Sequence, residues 1–144
     1  MWFNIEEDIT AETQRRMTKE KYNELAVQIV DACFHVHREL GPGLLESAYE
    51  YALLKEFELR NITAQNQKQI RLFYKGFDTG KYYVIDLLIE SEIVLEIKCC
   101  DVISPVYTAQ IISYLKLSEK KLGFLVNFHV PIIKNGIKRF VNNF

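Results

Sequence analysis

Residues 83–98 read YVIDLLIESEIVLEIK, and this stretch decides the fold. Two apolar runs are separated only by Glu90-Ser91-Glu92, a connection too short for anything other than an antiparallel hairpin. Both runs are apolar on both faces, as expected for strands of a sheet that helices cover. Alternation predicts one face with Ile85, Leu87, Ile89, Ile93, Leu95 and Ile97, and an opposite face with Val84, Asp86, Leu88, Val94, Glu96 and Lys98.

Three charged residues, Asp86, Glu96 and Lys98, share the second of these faces. With a three-residue connection, pairing is symmetric about Ser91, so Asp86 lies directly opposite Glu96 and Lys98 lies two residues further along. A two-residue loop would shift the pairing by one residue and place the two carboxylates on opposite faces. The predicted juxtaposition therefore depends on the length of the connection.

Two carboxylates that face each other repel, and burial raises the cost of ionising either one. We therefore expect a cation between them. Lys98 is one candidate, and it would complete an ion cluster that has no catalytic role. A divalent metal is the other candidate, and oxygen ligands of this kind suit Mg²⁺ or Mn²⁺ rather than zinc.

Two helices are predicted before this hairpin. Thr18 is the predicted N-cap of the first, whose apolar residues keep helical spacing as far as Leu40. Gly41-Pro42-Gly43 ends that helix. The second helix begins within residues 43–46 and runs to about Arg60, which places Glu46 in its first turn.

Strands and one further helix complete the predicted order. Residues 69–74 alternate between polar and apolar side chains, and turn residues follow at Gly76, Asp78 and Gly80. After the central hairpin, Pro105 suits the first turn of a helix that reaches Ser118. Residues 124–128 form a buried strand. The order is α-α-β-β-β-α-β, which predicts a mixed α/β (α+β) domain.

A C-terminal hairpin is also predicted, over residues 130–141. Asn135-Gly136 lies in the middle of this segment, and it is a favoured two-residue hairpin turn.

The chain has 144 residues and a mass of 16.9 kDa, and we expect residues 18–144 to form one domain behind a polar leader, residues 1–17. Its 49% hydrophobic and 26% charged residues exclude a disordered, collagen-like or coiled-coil protein. No apolar run approaches the roughly 18 residues that span a bilayer, so we expect no membrane partner. The acidic leader is unlike a secretory signal, and three cysteines form no disulfide framework, which together predict a cytoplasmic protein.

The formal net charge is −1 and the pI is about 6.3, which argues against a protein that grips nucleic acid by bulk charge. A local basic patch near the C-terminus remains an alternative. It would consist of Lys116, Lys120, Lys121, Lys134, Lys138 and Arg139. The first hairpin mixes aromatic and basic side chains: Tyr74, Lys75, Phe77, Lys81, Tyr82 and Tyr83. Such rings can stack on the bases of a single strand, but the near-neutral charge favours packing or contact with a protein.

Motifs at four places resemble a known family, and the last of them comprises Asn127-Phe128 and residues 132–139. Asp86, followed after nine residues by Glu96-Ile97-Lys98, resembles the D…(D/E)xK signature of the PD-(D/E)XK nuclease superfamily. Residues 43–49, GLLESAY, resemble the stretch that defines the small bacterial GxxExxY proteins of this superfamily. Residues 110–114, QIISY, are similar to the QxxxY helix motif of its RecB-type members. The resemblance runs from about residue 20 to the end of the chain.

The resemblance implies a restriction-endonuclease-like core, with a mixed four-stranded sheet flanked by helices, that hydrolyses phosphodiester bonds of DNA or RNA. The metal ligands that it implies, for Mg²⁺ or Mn²⁺, are Asp86, Glu96, the Ile97 carbonyl and Glu46. Ile85 stands where the superfamily name has proline, which removes no chemical group.

The resemblance also implies roles for three polar residues. Lys98 would orient or activate the attacking water and stabilise charge on the phosphate. Gln110 and Tyr114 would contact the metal site or the substrate phosphate. Together with the metal ligands, these residues complete the set of groups that phosphodiester hydrolysis needs.

Structural interpretations remain open beside these roles. The helix macrodipole alone favours Glu46 near a helix N-terminus. Gln110 and Tyr114, four residues apart, would also suit the polar edge of an amphipathic helix, and Tyr49 would suit the core. The whole protein could instead be a non-catalytic binding or regulatory module, with a homodimer as one arrangement. A redox or transition-metal protein built on Cys99 and Cys100 is disfavoured, because no ligand spacing supports it.

Overall fold

The computed structural model describes residues 17–144, so the predicted polar leader lies outside the described residues except for Met17. The elements are α1 Lys19–Leu40, α2 Glu46–Leu59, β1 Ala64–Tyr74, β2 Phe77–Ile89, β3 Ile93–Lys98, α3 Pro105–Ser118, β4 Leu122–Asn127, a 3₁₀ helix Ile133–Gly136 and β5 Ile137–Val141. The predicted order of helices and strands is confirmed, with a fifth strand added. No helix within the described range is long and apolar enough to cross a membrane.

The ends of α1 form as predicted. The Thr18 hydroxyl accepts the Lys21 N–H at 3.2 Å and so satisfies one of the free donors of the first turn. At the other end Gly41 has a φ of 69°, which a residue without a Cβ adopts at little cost. Because the chain reverses at this glycine, α2 begins close to the end of α1.

The five strands form one mixed sheet in the order β1-β2-β3-β4-β5. β3 and β4 are parallel and α3 connects them, whereas the other neighbouring strands are antiparallel. The predicted sheet of four strands is therefore one strand short, because β5 pairs with β4 at the edge of the sheet.

The predicted C-terminal hairpin over residues 130–141 is wrong. Its supposed turn, Asn135-Gly136, belongs to the 3₁₀ helix, and the strand that follows pairs with β4. Gly136 is buried, and a Cβ at this position would collide with the carbonyl oxygen of Asn127. Close packing therefore explains the glycine, and a hairpin turn does not.

Register in the central hairpin agrees with the three-residue connection. Leu87 pairs with Leu95, and Ile89 pairs with Ile93, so the pairing is symmetric about Ser91. Asp86 and Glu96 are the next residues beyond the last regular pair, Leu87 and Leu95, and hydrogen bonds to their side chains link the two strands there.

Helices cover both faces of the sheet, but one residue lies on a different face from the one predicted. The larger apolar cluster joins α1 and α2 to the sheet and includes Leu87 and Ile97. Ile85, predicted to share that face, is buried instead with Leu88 and Val94 in the cluster under α3. The alternation of β2 therefore breaks between Ile85 and Leu87, at Asp86.

The first hairpin also differs from prediction. Its turn is Lys75-Gly76, where both residues have positive φ, while Asp78 and Gly80 lie within β2. The prediction that its aromatic residues pack is wrong for three of the four. The rings of Tyr74, Phe77 and Tyr82 are exposed. Tyr83 does pack, on the ring of Tyr114.

Candidate active site

The two predicted carboxylates meet where β2 and β3 separate. Regular pairing between these strands ends at Leu87 and Leu95. Beyond that point, the Ile97 N–H donates to Asp86 Oδ2 at 2.8 Å, and the Asp86 N–H donates to Glu96 Oε1 at 3.2 Å. Each carboxylate therefore accepts a backbone donor from the strand that carries the other, which fixes both side chains in the gap.

The neighbouring strand is irregular at the same level. Asn66 pairs with Leu87 and Lys68 pairs with Ile85, so Gln67 lies across from Asp86. Gln67 has a φ of 51°, which is unusual for a residue within a strand. Irregularities of this kind redirect side chains next to functional sites, and here the break accompanies the change of face between Ile85 and Leu87.

Glu96 is 3% exposed, and its carboxyl group faces that of Asp86. Burial, followed by the negative charge of Asp86, raises the pKa of Glu96 to about 9. In the absence of a bound cation, the acidic pair therefore retains a proton at neutral pH.

Lys98 does not neutralise this pair directly. Within residues 17–144, Lys98 forms no ion pair with Asp86 or Glu96. Its Nζ donates to Gln110 Oε1 at 3.5 Å and lies 4.3 Å from the centre of the Tyr107 ring. The geometry does not support the closed Asp-Glu-Lys ion cluster that the sequence allows.

Gln110 and Tyr114 share one face of α3, as their spacing predicts. The Gln110 Nε2 donates to the Tyr114 hydroxyl at 2.9 Å, and the Tyr114 ring stacks on Tyr83 with centroids 4.6 Å apart. Burial, followed by the charge of Glu96, raises the pKa of Tyr114. A polar chain thus runs from Lys98 through Gln110 to Tyr114, beside the acidic pair.

Glu46 comes to the same site from the other side of the sheet. As the first residue of α2, it lines a cleft of about 290 Å³ with Asp86 and Glu50. The remaining lining residues are Ser47, Gln67 and Ile97, so no basic side chain is among them. Glu46 lies in the first turn of α2, as predicted, and it shares the cleft with Asp86.

Tyr49 explains how the GLLESAY segment positions Glu46. Its hydroxyl donates to the Gly41 carbonyl at 2.5 Å and accepts the Leu44 N–H at 3.1 Å. Its ring stacks on Phe128 with centroids 4.4 Å apart. Tyr49 is thus a core residue with a satisfied hydroxyl, and it fixes the turn from which Glu46 enters α2.

Two polar residues of the cleft were missed from the sequence. Glu50 lies four residues after Glu46, and this helical spacing was a usable signal. Gln67 donates to Glu50 Oε1 at 2.6 Å, but no pattern in the sequence indicates this contact. The contact depends on the irregular backbone of β1 at Gln67. This irregularity becomes visible only when β1 is paired with β2.

Asn127 holds the chain that follows Lys98. Its Oδ1 accepts the N–H groups of Cys100 at 3.2 Å and His129 at 3.0 Å, and its Nδ2 donates to the Cys100 carbonyl at 2.7 Å. The Asn127 side chain is buried, and all of these contacts are made within the fold. It therefore extends the β3–β4 pairing by one step and fixes the end of the strand that carries Lys98.

The donor chemistry of the site suits a hard divalent cation. No group of three or more His, Cys, Asp or Glu side chains within residues 17–144 is arranged closely enough to hold a metal. Asp86, Glu46 and Ile97 nevertheless line an acidic cleft that has no basic lining residue. Glu96 is not among the lining residues; it is buried next to Asp86 and adds a further carboxyl oxygen there. Oxygen donors with unneutralised negative charge fit Mg²⁺ or Mn²⁺.

Fold and site together define a class, an α/β domain with a restriction-endonuclease-like core and an acidic pair where two strands separate. The model of the PD-(D/E)XK nuclease superfamily matches residues 23–140, and the chain belongs to this superfamily. Its members are typically nucleases, which act on nucleic acid and generally use divalent metals such as Mg²⁺. Searches of curated proteins and of solved structures returned no match.

Proposed function

We propose that this protein is a metal-dependent nuclease that hydrolyses phosphodiester bonds at the cleft between Glu46 and Asp86. The observation that carries the proposal is the acidic pair of Asp86 and Glu96. These two side chains face each other, one of them is buried, and the nearby Lys98 forms no ion pair with either. A divalent cation would supply the missing charge, and membership of the superfamily supports the same conclusion.

Each polar residue then has a role. Asp86, Glu96 and the Ile97 carbonyl are the proposed metal ligands, with Glu46 as an additional ligand. When bound, a divalent cation lowers the pKa of a coordinated water and neutralises charge on the phosphoryl oxygens. Lys98, whose Nζ donates to Gln110, is the proposed group that orients or activates the attacking water and stabilises charge on the phosphate.

Gln110 and Tyr114 act through Lys98. Because Gln110 donates to the Tyr114 hydroxyl, its amide oxygen is turned toward the Lys98 ammonium group. Stacking on Tyr83 fixes the Tyr114 ring in turn. The proposed role of this pair is therefore to position Lys98 and to contact the phosphate.

The proposed step is hydrolysis. A water oxygen attacks phosphorus, the bond from phosphorus to the leaving oxygen breaks, and the proton of the water ends on the leaving oxygen. The products are one phosphomonoester and one hydroxyl end.

The segment GLLESAY supports a finer assignment to the GxxExxY group of the superfamily. Its residues have separate tasks in the fold, since Tyr49 fixes the turn and Glu46 reaches the cleft. We propose residues 18–144 as the nuclease domain.

Cleavage of single-stranded and duplex DNA and RNA, with Mg²⁺ or Mn²⁺ and with EDTA, tests the proposal. The wild type is expected to cleave at least one of these substrates, and only with metal. Lys98→Met is expected to lose about a hundredfold or more, because it removes the charge that stabilises the phosphoryl oxygens.

Lys55→Met is the matched control, since Lys55 is an exposed lysine of α2 whose contact is with Glu58. Circular dichroism would establish that both variants fold. Unchanged cleavage by Lys98→Met, or cleavage in EDTA, would contradict the proposed mechanism. Absence of cleavage by the wild type on every substrate would favour a non-catalytic binding module.

A further inference from the structure

The outer halves of β1 and β2 form a two-stranded arm. β2 pairs with β3 only over Leu87–Ile89, so residues 69–84 pair with each other, Lys68 pairs with Ile85, and none of them pairs with a third strand of the described chain. We call residues 68–84 the hairpin arm. A two-stranded hairpin alone is of marginal stability, so side chains on this arm that pack on nothing need another explanation.

Four large rings on the arm are exposed. Their exposed fractions are 54% for Phe73, 65% for Tyr74, 77% for Phe77 and 58% for Tyr82. Burial of such side chains stabilises a fold, and the arm forgoes most of this stabilisation. Tyr74 and Phe77 are cross-strand partners, and exposed apolar side chains that lie together are typical of a binding surface.

Charge on the arm distinguishes between kinds of partner. The arm has one acidic residue, Asp78, and four basic residues: Lys68, Arg71, Lys75 and Lys81. Its net charge is therefore +3, whereas the net charge of the whole chain is −1. Arg71 pairs with Asp78, but no ion pair within residues 17–144 involves any of the three lysines. Lysine is depleted at the centre of protein interfaces, so cations among exposed rings favour a polyanion with flat apolar groups.

The arm is joined directly to the candidate site. It continues along β2 from Asp86, and at about 3.4 Å per residue the backbone positions of Lys81 and Asp86 lie about 17 Å apart along the strand. At the base of the arm, Tyr83 stacks on Tyr114, which belongs to the chain of contacts to Lys98. A polymer bound along the arm would therefore lead toward the cleft.

We propose that the hairpin arm binds single-stranded nucleic acid, with bases stacked on the exposed rings and phosphates contacted by the lysines. Bases in a duplex stack on each other, so rings on an arm can stack only on bases whose faces are free. The inference deepens the proposed nuclease function and rests on it for the fate of the bound strand. It names single strands, or the single-stranded part of a larger nucleic acid, as the substrate class.

The test is binding measured by fluorescence anisotropy in EDTA, so that cleavage plays no part. The probes are labelled single-stranded DNA and RNA oligonucleotides of mixed sequence and the matching duplexes, added to the full chain. The wild type is expected to bind single strands more tightly than duplexes. The double variant Tyr74→Ala/Phe77→Ala is expected to lose at least about tenfold in single-strand affinity.

Tyr51→Ala is the matched control, because Tyr51 is a tyrosine of α2 that is 76% exposed and lies outside the arm. It should bind like the wild type. A second variant, Lys75→Gln/Lys81→Gln, should flatten the salt dependence of binding, since phosphate contacts release counterions.

Failure of the inference is distinguishable from failure of the nuclease proposal. If the protein binds single strands through the arm but cleaves no substrate, the nuclease proposal is overturned and the inference about the arm is kept. Equal affinity for duplex and single strands, or unchanged affinity in the double variant, would overturn the inference, as would absence of binding by the wild type. A dimer in sedimentation that the double variant converts to monomer would assign the arm to contact between copies instead, and would also overturn it.

Discussion

Asp86 and Glu96 hold each other in place through the main chain. Each accepts an N–H group from the opposite strand, so neither carboxylate can turn away without leaving a donor unpaired. This arrangement keeps two carboxyl groups close together, one of them buried, so ionising both in the absence of a cation costs the fold stability. A site that holds such a cost is typical of function, because stability alone would select against it.

Replacement of Glu96 by Gln is expected to stabilise the protein in EDTA. The folded pKa of Glu96, about 9, lies above its ordinary value of 4.5, so its contribution to stability is fully present below pH 4.5 and is lost as the pH rises through 9. Gln keeps the hydrogen-bond acceptor and removes this loss. In mildly alkaline buffer the gain should be about 1 kcal/mol or more, and it should shrink toward pH 4.5.

Urea unfolding across this pH range measures the difference. Glu92→Gln is the control on the same hairpin, since Glu92 accepts a hydrogen bond from Tyr22 and is away from the acidic pair. A gain that is independent of pH, or a loss of stability in Glu96→Gln, would contradict the account of the pair.

At the scale of elements, the site depends on the joint irregularity of β1 and β2. If β2 alternated regularly from Ile85 to Ile89, Ile85 would lie in the larger apolar cluster, but it lies in the cluster under α3. If β1 were regular at the same level, Gln67 would have an ordinary strand φ, but its φ is 51°. Strand alternation is all that the sequence offers at this point, so the change of face was beyond prediction. The break also frees the hairpin arm from the rest of the sheet.

Close packing of the 3₁₀ helix gives a prediction for Gly136→Ala. A Cβ at residue 136 would meet the backbone of Asn127, which cannot move without disturbing its contacts to Cys100. We expect a loss of about 2 kcal/mol or more in the free energy of unfolding, measured by denaturant titration. Gly123→Ala is the comparison, because its nearest neighbours are the flexible ends of Leu115 and Ile111, and its loss should be smaller. Equal losses would show that packing at Asn127 is not the reason for the glycine.

For the molecule as a whole, local signals were enough to predict the order of elements. Thr18 and Gly41 mark the ends of α1, Pro105 begins α3, and the short connection around Ser91 sets the register that brings Asp86 to Glu96. The fifth strand, the exposed arm and the Gln67 contact could not be predicted in this way. Each depends on which strand lies beside which, and one sequence without its fold does not contain that information in a local pattern.

The buried core gives a prediction for cysteine reactivity. Cys33 is 0% exposed, and burial raises the pKa of its thiol to about 12, while Cys99 and Cys100 are partly exposed. In native protein, a thiol reagent should modify Cys33 only through global unfolding, so its labelling rate should rise with urea in step with loss of helical signal. Mass spectrometry of labelled peptides separates the three sites. Rapid labelling of Cys33 without denaturant would contradict the arrangement of α1 over the sheet.

The central claim, a divalent cation between Asp86 and Glu96, is tested most directly by Mn²⁺ titration calorimetry of the wild type and Glu96→Gln. This measurement needs no choice of substrate. The account predicts saturable binding by the wild type and by the Glu92→Gln control, and loss of that binding in Glu96→Gln. Equal binding by Glu96→Gln and the wild type, or no binding by the wild type at millimolar Mn²⁺, would contradict it.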